Sequence, residues 1–134
     1  MGTEIGILAL YGLFVIVVIL LQVLAALPQV GLVALASARD TMAPLTGVAA
    51  RLDRAQLNCV IGLALFAPAA IAVQMLGLST GATVLAGQIF LIARLVYVVV
   101  YAAGIPWLRT LAWTASILAT AYLYIVAMGG AAAA

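Results

Sequence analysis

The chain has 134 residues, 69% hydrophobic and only 6% charged, with a net charge of +2 and neither histidine nor lysine. Its mean hydropathy of +1.41 describes a single-domain integral membrane protein, 1–134, because about 20 apolar residues are needed per helical crossing. The charge sits on arginines near or inside apolar segments, which argues against nucleic-acid binding, and the missing histidine removes the commonest metal ligand, so no metal site is expected.

The first apolar segment, about 5–36, is too long for a cleavable signal peptide, and the charge before it is Glu4 rather than a basic group. It is read as a retained transmembrane helix. Pro28 removes one backbone donor and is expected to bend the helix near the Leu24 carbonyl. Gln22 and Gln29, seven apart, share a face and serve either as glue between helices or as ligand contacts. The composition then shifts over 37–54, "SARDTMAPLTGVAARLDR", which holds three of the five arginines and two of the three acids. This stretch is expected to lie outside the hydrocarbon. Further apolar runs at about 55–78, 82–103 and 107–128 complete an all-α four-helix bundle, and the "GGAAAA" tail has no evident reason to be ordered. By the positive-inside rule, Arg39, Arg51, Arg54 and Arg109 turn their connections to the cytoplasm and leave both termini on the other side.

The segment "RLVYVVVYAAGIPWLR", 94–109, stands out. At 3.6 residues per turn Arg94, Tyr97 and Tyr101 fall on one face, and about nine residues from the helix end puts Arg94 about 13 Å deep. A charge near the bilayer centre costs at least about 2.5 to 3.5 kcal/mol, so it faces protein or water and often marks a site. It also pairs structurally in many proteins, and here Asp40 and Asp53 are the available acids. A second polar group opens helix two, where Arg54, Asn58 and Ile61 share a face, with Arg51 one turn earlier. It reads either as the rim of a pocket shared with Arg94 and Tyr101 or as an interfacial anchor. Cys59 reads as a small buried apolar residue rather than a nucleophile. Trp107 and Trp113 read as interfacial or lipid-facing aromatics.

Arg94 with Gln22, Gln74 and Gln88 is more polar surface than one thin bundle hides from lipid, so an oligomer is expected. A channel or proton carrier would need ionisable groups repeated along a path. No phosphate loop or catalytic triad is present.

The segments "ARD" at 38–40, "PLTGVAARLDRAQLN" at 44–58 and "RLVYVVVYAAGIPWLR" at 94–109 resemble the MAPEG family, membrane-associated proteins of eicosanoid and glutathione metabolism, in particular its small bacterial members. The resemblance implies a homotrimer in a bacterial inner membrane, with glutathione between neighbouring protomers near the cytoplasmic side. Arg54 and Asn58 match the arginine and asparagine of the family's helix-two motif, while Ile61 stands where the family has a glutamate. Arg94 and Tyr101 match its helix-three pair, and Tyr97 occupies the position of an aromatic or histidine. Arg109 matches the arginine held near the glutathione sulfur, followed by Thr110 at a hydroxyl position.

Glutathione carries two carboxylates, an ammonium and a thiol. The implied roles are therefore Arg54, Asn58, Arg94, Tyr97 and Tyr101 in binding, and Arg109 with Thr110 in favouring the thiolate. The lipid-facing groove would admit an apolar electrophile or hydroperoxide. Ile61 removes an acceptor for the ammonium and a counter-charge for the arginines, which leaves two functions in play. One is a glutathione-dependent transferase or peroxidase. The other is a non-catalytic trimer that binds membrane lipids or serves as an accessory subunit of a larger membrane assembly.

Overall fold

A computed structural model of the chain describes residues 3–39 and 42–133. It contains four helices, α1 (Glu4–Ala36), α2 (Gly47–Met75), α3 (Gly81–Ala103) and α4 (Pro106–Ala133), each long and apolar enough to cross a membrane. Contacts are most extensive between α3 and α4 and between α1 and α2; α2 and α3 each touch every other helix, and α1 does not meet α4 among the described residues. The section is thus a rhombus with α2 and α3 across its short diagonal. Large apolar side chains such as Leu13, Leu32, Val99, Leu118 and Ile125 point outward, as lipid requires and water would not allow.

Two boundaries differ from the sequence expectation. α2 begins at Gly47 rather than near 55, because its buried seam, Ala49, Leu52, Ala55, Cys59, Gly62 and Phe66, continues at helical spacing through the charged stretch. The charges lie on the flanks of that seam, so only a hydropathy window sees a loop there. α4 runs through the tail to Ala133: alanine is the strongest helix former, and Gly130 lies so close to Leu78 that an added Cβ would overlap it.

The break in α1 also lies elsewhere than expected. Backbone angles leave the helical region at Gly31 (φ 81°, ψ 162°), three residues after Pro28. Proline weakens the turn, and the glycine supplies a positive φ that residues with a Cβ rarely adopt. Gln29, two residues earlier, acts as glue. Its amide donates to the Thr46 carbonyl (2.9 Å) and accepts from the Thr46 N–H (3.0 Å) at the start of α2.

The interior is organised by rings. Phe66 and Phe90 stack at 4.1 Å and 4°, and Tyr11 meets Phe90 edge-on at 4.8 Å. The Tyr11 hydroxyl donates to the Cys59 carbonyl at 2.7 Å, tying α1 to the middle of α2; Cys59 itself is fully buried in the apolar core. At the opposite end from the surface arginines, the buried Glu4 carboxylate accepts from Ser79 (2.7 Å) and from Thr83. An acid suits this place beside the N-termini of α1 and α3, and composition alone gave Glu4 no such role.

Tyr11→Phe removes the hydroxyl donor to that Cys59 carbonyl while keeping the ring. Reversible unfolding in mixed micelles should show a loss of about 0.5 to 1.5 kcal/mol. An unchanged midpoint would mean that the bond contributes nothing.

A cationic cavity between helices two, three and four

Polar residues of α2, α3 and α4 meet near the arginine-bearing end of the bundle. Asn58, Tyr97, Tyr101, Arg109, Thr110 and Trp113 line an open cavity of about 280 Å³. Tyr101 is its centre. Its hydroxyl accepts from Arg54 Nε at 3.0 Å, the Arg109 guanidinium lies 4.7 Å from its ring centroid, and Tyr97 meets it edge-on at 5.5 Å. One phenol therefore joins cations from α2 and α4 on a residue of α3. Gly104, in the left-handed region at φ 80°, ends α3. Pro106 then opens α4, a position where its missing N–H is not needed, and Arg109 and Thr110 follow as its fourth and fifth residues.

Arg94 lies behind this cavity and not on its wall. It is 1% exposed, donates from Nη1 to Asn58 Oδ1 at 2.6 Å, and has Phe90 and Tyr97 ring centroids at 5.8 and 5.3 Å. Its Nε has no hydrogen-bond partner among the described residues. No acid among the described residues pairs with it: Asp53 accepts from Gln56 at 3.0 Å, Glu4 is held at the other end, and Asp40 lies outside the described residues.

Space for the guanidinium comes from Gly62. A Cβ at that position would come within 2.9 Å of both Arg94 Cζ and Arg94 Nε. Glycine weakens a helix, but the missing side chain of Gly62 forms the hollow in which Arg94 rests. Its position four residues after Asn58, on the same helical face, was the available signal. Ile61, by contrast, is 57% exposed and does not line the cavity.

Three further placements add to the sequence reading. Arg51 Nε donates to the Ala102 carbonyl at 2.9 Å, placing a cation on the C-terminal turn of α3, where the helix dipole favours it. Trp113 lines the cavity, whereas Trp107 is 82% exposed. Thr110, which lines the cavity, donates to the Pro106 carbonyl at 3.3 Å, so its hydroxyl hydrogen is committed and its oxygen can still accept.

The Asn58 amide is oriented by these contacts. With Oδ1 committed to Arg94, its NH₂ is the end left for the cavity. Tyr101 accepts from Arg54, so its own hydrogen is free to donate. Arg109 adds a charged fork and Trp113 an indole N–H. The wall is dominated by donors, with a buried cation behind it, which is the composition that binds carboxylates, phosphates or a thiolate.

A double-mutant cycle tests the Gly62 hollow. Gly62→Ala should destabilise the protein by about 1 to 3 kcal/mol, the usual cost of overpacking. In an Arg94→Ala background the same change should instead stabilise by up to about 1 kcal/mol, the helix preference of alanine over glycine. The same sign in both backgrounds would show that the two residues do not compete for space.

No curated protein matches the chain. A family model described as the MAPEG family matches residues 5–129, nearly the whole bundle and every residue of the cavity. The chain belongs to the MAPEG family.

Proposed function

We propose that this protein is a glutathione-dependent transferase or peroxidase acting on lipophilic electrophiles dissolved in the membrane. The single observation carrying this reading is the convergence of Arg54 and Arg109 on Tyr101 at the mouth of one open cavity. Bound glutathione would supply a thiol nucleophile. Arg109 favours its ionised form, because a cation beside a thiol lowers the cost of losing the proton. Arg54, Tyr101 and Asn58 offer donors to the carboxylates, and Arg94 acts from behind by holding Asn58. Thr110 contributes a neutral oxygen at the rim. The apolar surface outside the cavity brings the second substrate from lipid.

The protomer would work as a homotrimer in a bacterial inner membrane, with the arginine-bearing end toward the cytoplasm and both termini opposite. The openness of the cavity and the exposure of Arg54 and Ile61 on the α2 flank support completion of the site by a neighbouring protomer. The second reading, a non-catalytic lipid-binding or accessory subunit of a larger membrane assembly, draws on the unpartnered Nε of Arg94 and on the lack of an acid beside it among the described residues.

Calorimetry on the detergent-solubilised protein separates the two. Saturable glutathione binding, weakened roughly tenfold or more in Arg109→Ala, is expected if that arginine meets the ligand through a charge-assisted bond worth about 1.5 to 3 kcal/mol. No heat up to about ten millimolar, well beyond ordinary substrate affinities, would rule out the enzyme and favour the accessory subunit.

A further inference from the structure

We propose that Arg51 and the turn leading from α3 into α4 hold the phosphate headgroup of an anionic membrane lipid. The proposal is independent of the glutathione reading, because neither Arg51 nor the turn, 103–107, lines the cavity. Arg51 Nε donates to the Ala102 carbonyl in the last turn of α3 at 2.9 Å, and a Cβ added at Gly104 would lie 3.8 Å from that nitrogen. The guanidinium is thus fixed across the end of α3, beside the turn. Its two Nη groups make no hydrogen bond or ion pair among the described residues. A guanidinium anchored through Nε keeps its end-on pair of donors for a phosphate.

The turn supplies the apolar half of a lipid site. Ile105, Trp107 and Leu108 are all exposed, at the level where the arginines mark the edge of the hydrocarbon. An indole at that level sits among headgroups, and aliphatic side chains beside it meet the first carbons of the acyl chains. A soluble phosphate would use the cation alone, whereas a lipid uses both.

The charge balance decides which lipids. This end carries Arg39, Arg51, Arg54 and Arg109 against Asp40 and Asp53, a surplus of two positive charges per protomer. Every further copy of the chain brings the same four cations and two acids, so assembly leaves that surplus in place. Arg54 and Arg109 are turned to Tyr101, and Arg39, held by the Leu35 carbonyl, is followed directly by Asp40. Asp53 accepts from Gln56 and lies two residues from Arg51, a spacing that does not bring helical side chains face to face. The uncompensated charge therefore falls on Arg51. A zwitterionic headgroup brings its own cation and leaves the surplus, while an anionic one removes it.

Native mass spectrometry tests this on protein taken in neutral detergent from vesicles of equal phosphatidylcholine and phosphatidylglycerol. The wild type should retain phosphatidylglycerol over phosphatidylcholine at least fivefold, about what one arginine contributes beside an anionic surface. Arg51→Ala should lower that preference below twofold. Ile105→Asp, an exposed change that leaves the bond to Ala102 in place, should do the same if Arg51→Ala fails to fold. Arg109→Ala removes an equal charge from the cavity and should keep at least half of the preference. Equal retention of the two lipids by the wild type would overturn the proposal. So would an equal loss in Arg51→Ala and Arg109→Ala, which would make net charge the cause, or an unchanged preference in Ile105→Asp. Calorimetric binding of glycerol 3-phosphate without any lipid preference would overturn the assignment to a lipid.

Discussion

A guanidinium enters a low-dielectric helix bundle only if something replaces its water, and at Arg94 the replacements are few. One amide oxygen accepts from it, two aromatic rings face it, and Gly62 leaves it room. A hydrogen bond to a charged group contributes about 1.5 to 3 kcal/mol, and each ring roughly 0.5 to 2. Desolvation costs several kcal/mol per ion even after relaxation. These contributions make the burial tolerable without neutralising the charge, so a positive potential persists in the middle of the bundle.

The rest of the arginine-bearing end is arranged around that potential. Arg94 sets the direction of the Asn58 amide, Arg54 sets that of the Tyr101 hydroxyl, and Arg109 lies over the Tyr101 ring. Each cation occupies an oxygen or a ring face and leaves donors pointing outward. All three helices contribute to the wall, so the cavity exists only when α2, α3 and α4 are in register. The Phe66 and Phe90 stack fixes α2 against α3 within the core, Arg51 on the Ala102 carbonyl fixes them at the end of α3, and the Tyr124 hydroxyl, donating to the Leu65 carbonyl at 2.6 Å, ties α4 to α2. Stability and site chemistry thus depend on the same packing.

Much of this was legible in the sequence. Hydropathy found four helices, because lipid forces every spanning segment to satisfy its backbone internally, and the spacing of Arg94, Tyr97 and Tyr101 put them on one face. The start of α2 was hidden, since Arg51, Asp53 and Arg54 lower local hydropathy although the buried seam passes between them. The order of the tail was hidden because its reason, contact between Gly130 and Leu78, joins distant parts of the chain. Arg94 read as a wall residue because periodicity assigns a face but not a depth; whether a side chain reaches the cavity or stops behind it depends on what stands opposite. The role of Gly62 was hidden for the same reason. A glycine weakens an isolated helix, but here its value lies in the partner it admits.

The most direct measurement of the central constraint is nitrogen-15 NMR of the guanidinium groups in protein labelled at its five arginines. One Nε–H should be protected from exchange with water and shifted by the Phe90 and Tyr97 rings, and that signal should vanish in Arg94→Lys. Five signals that all exchange freely would contradict the account, because Arg94 would then be hydrated and the cavity would need no hollow at Gly62.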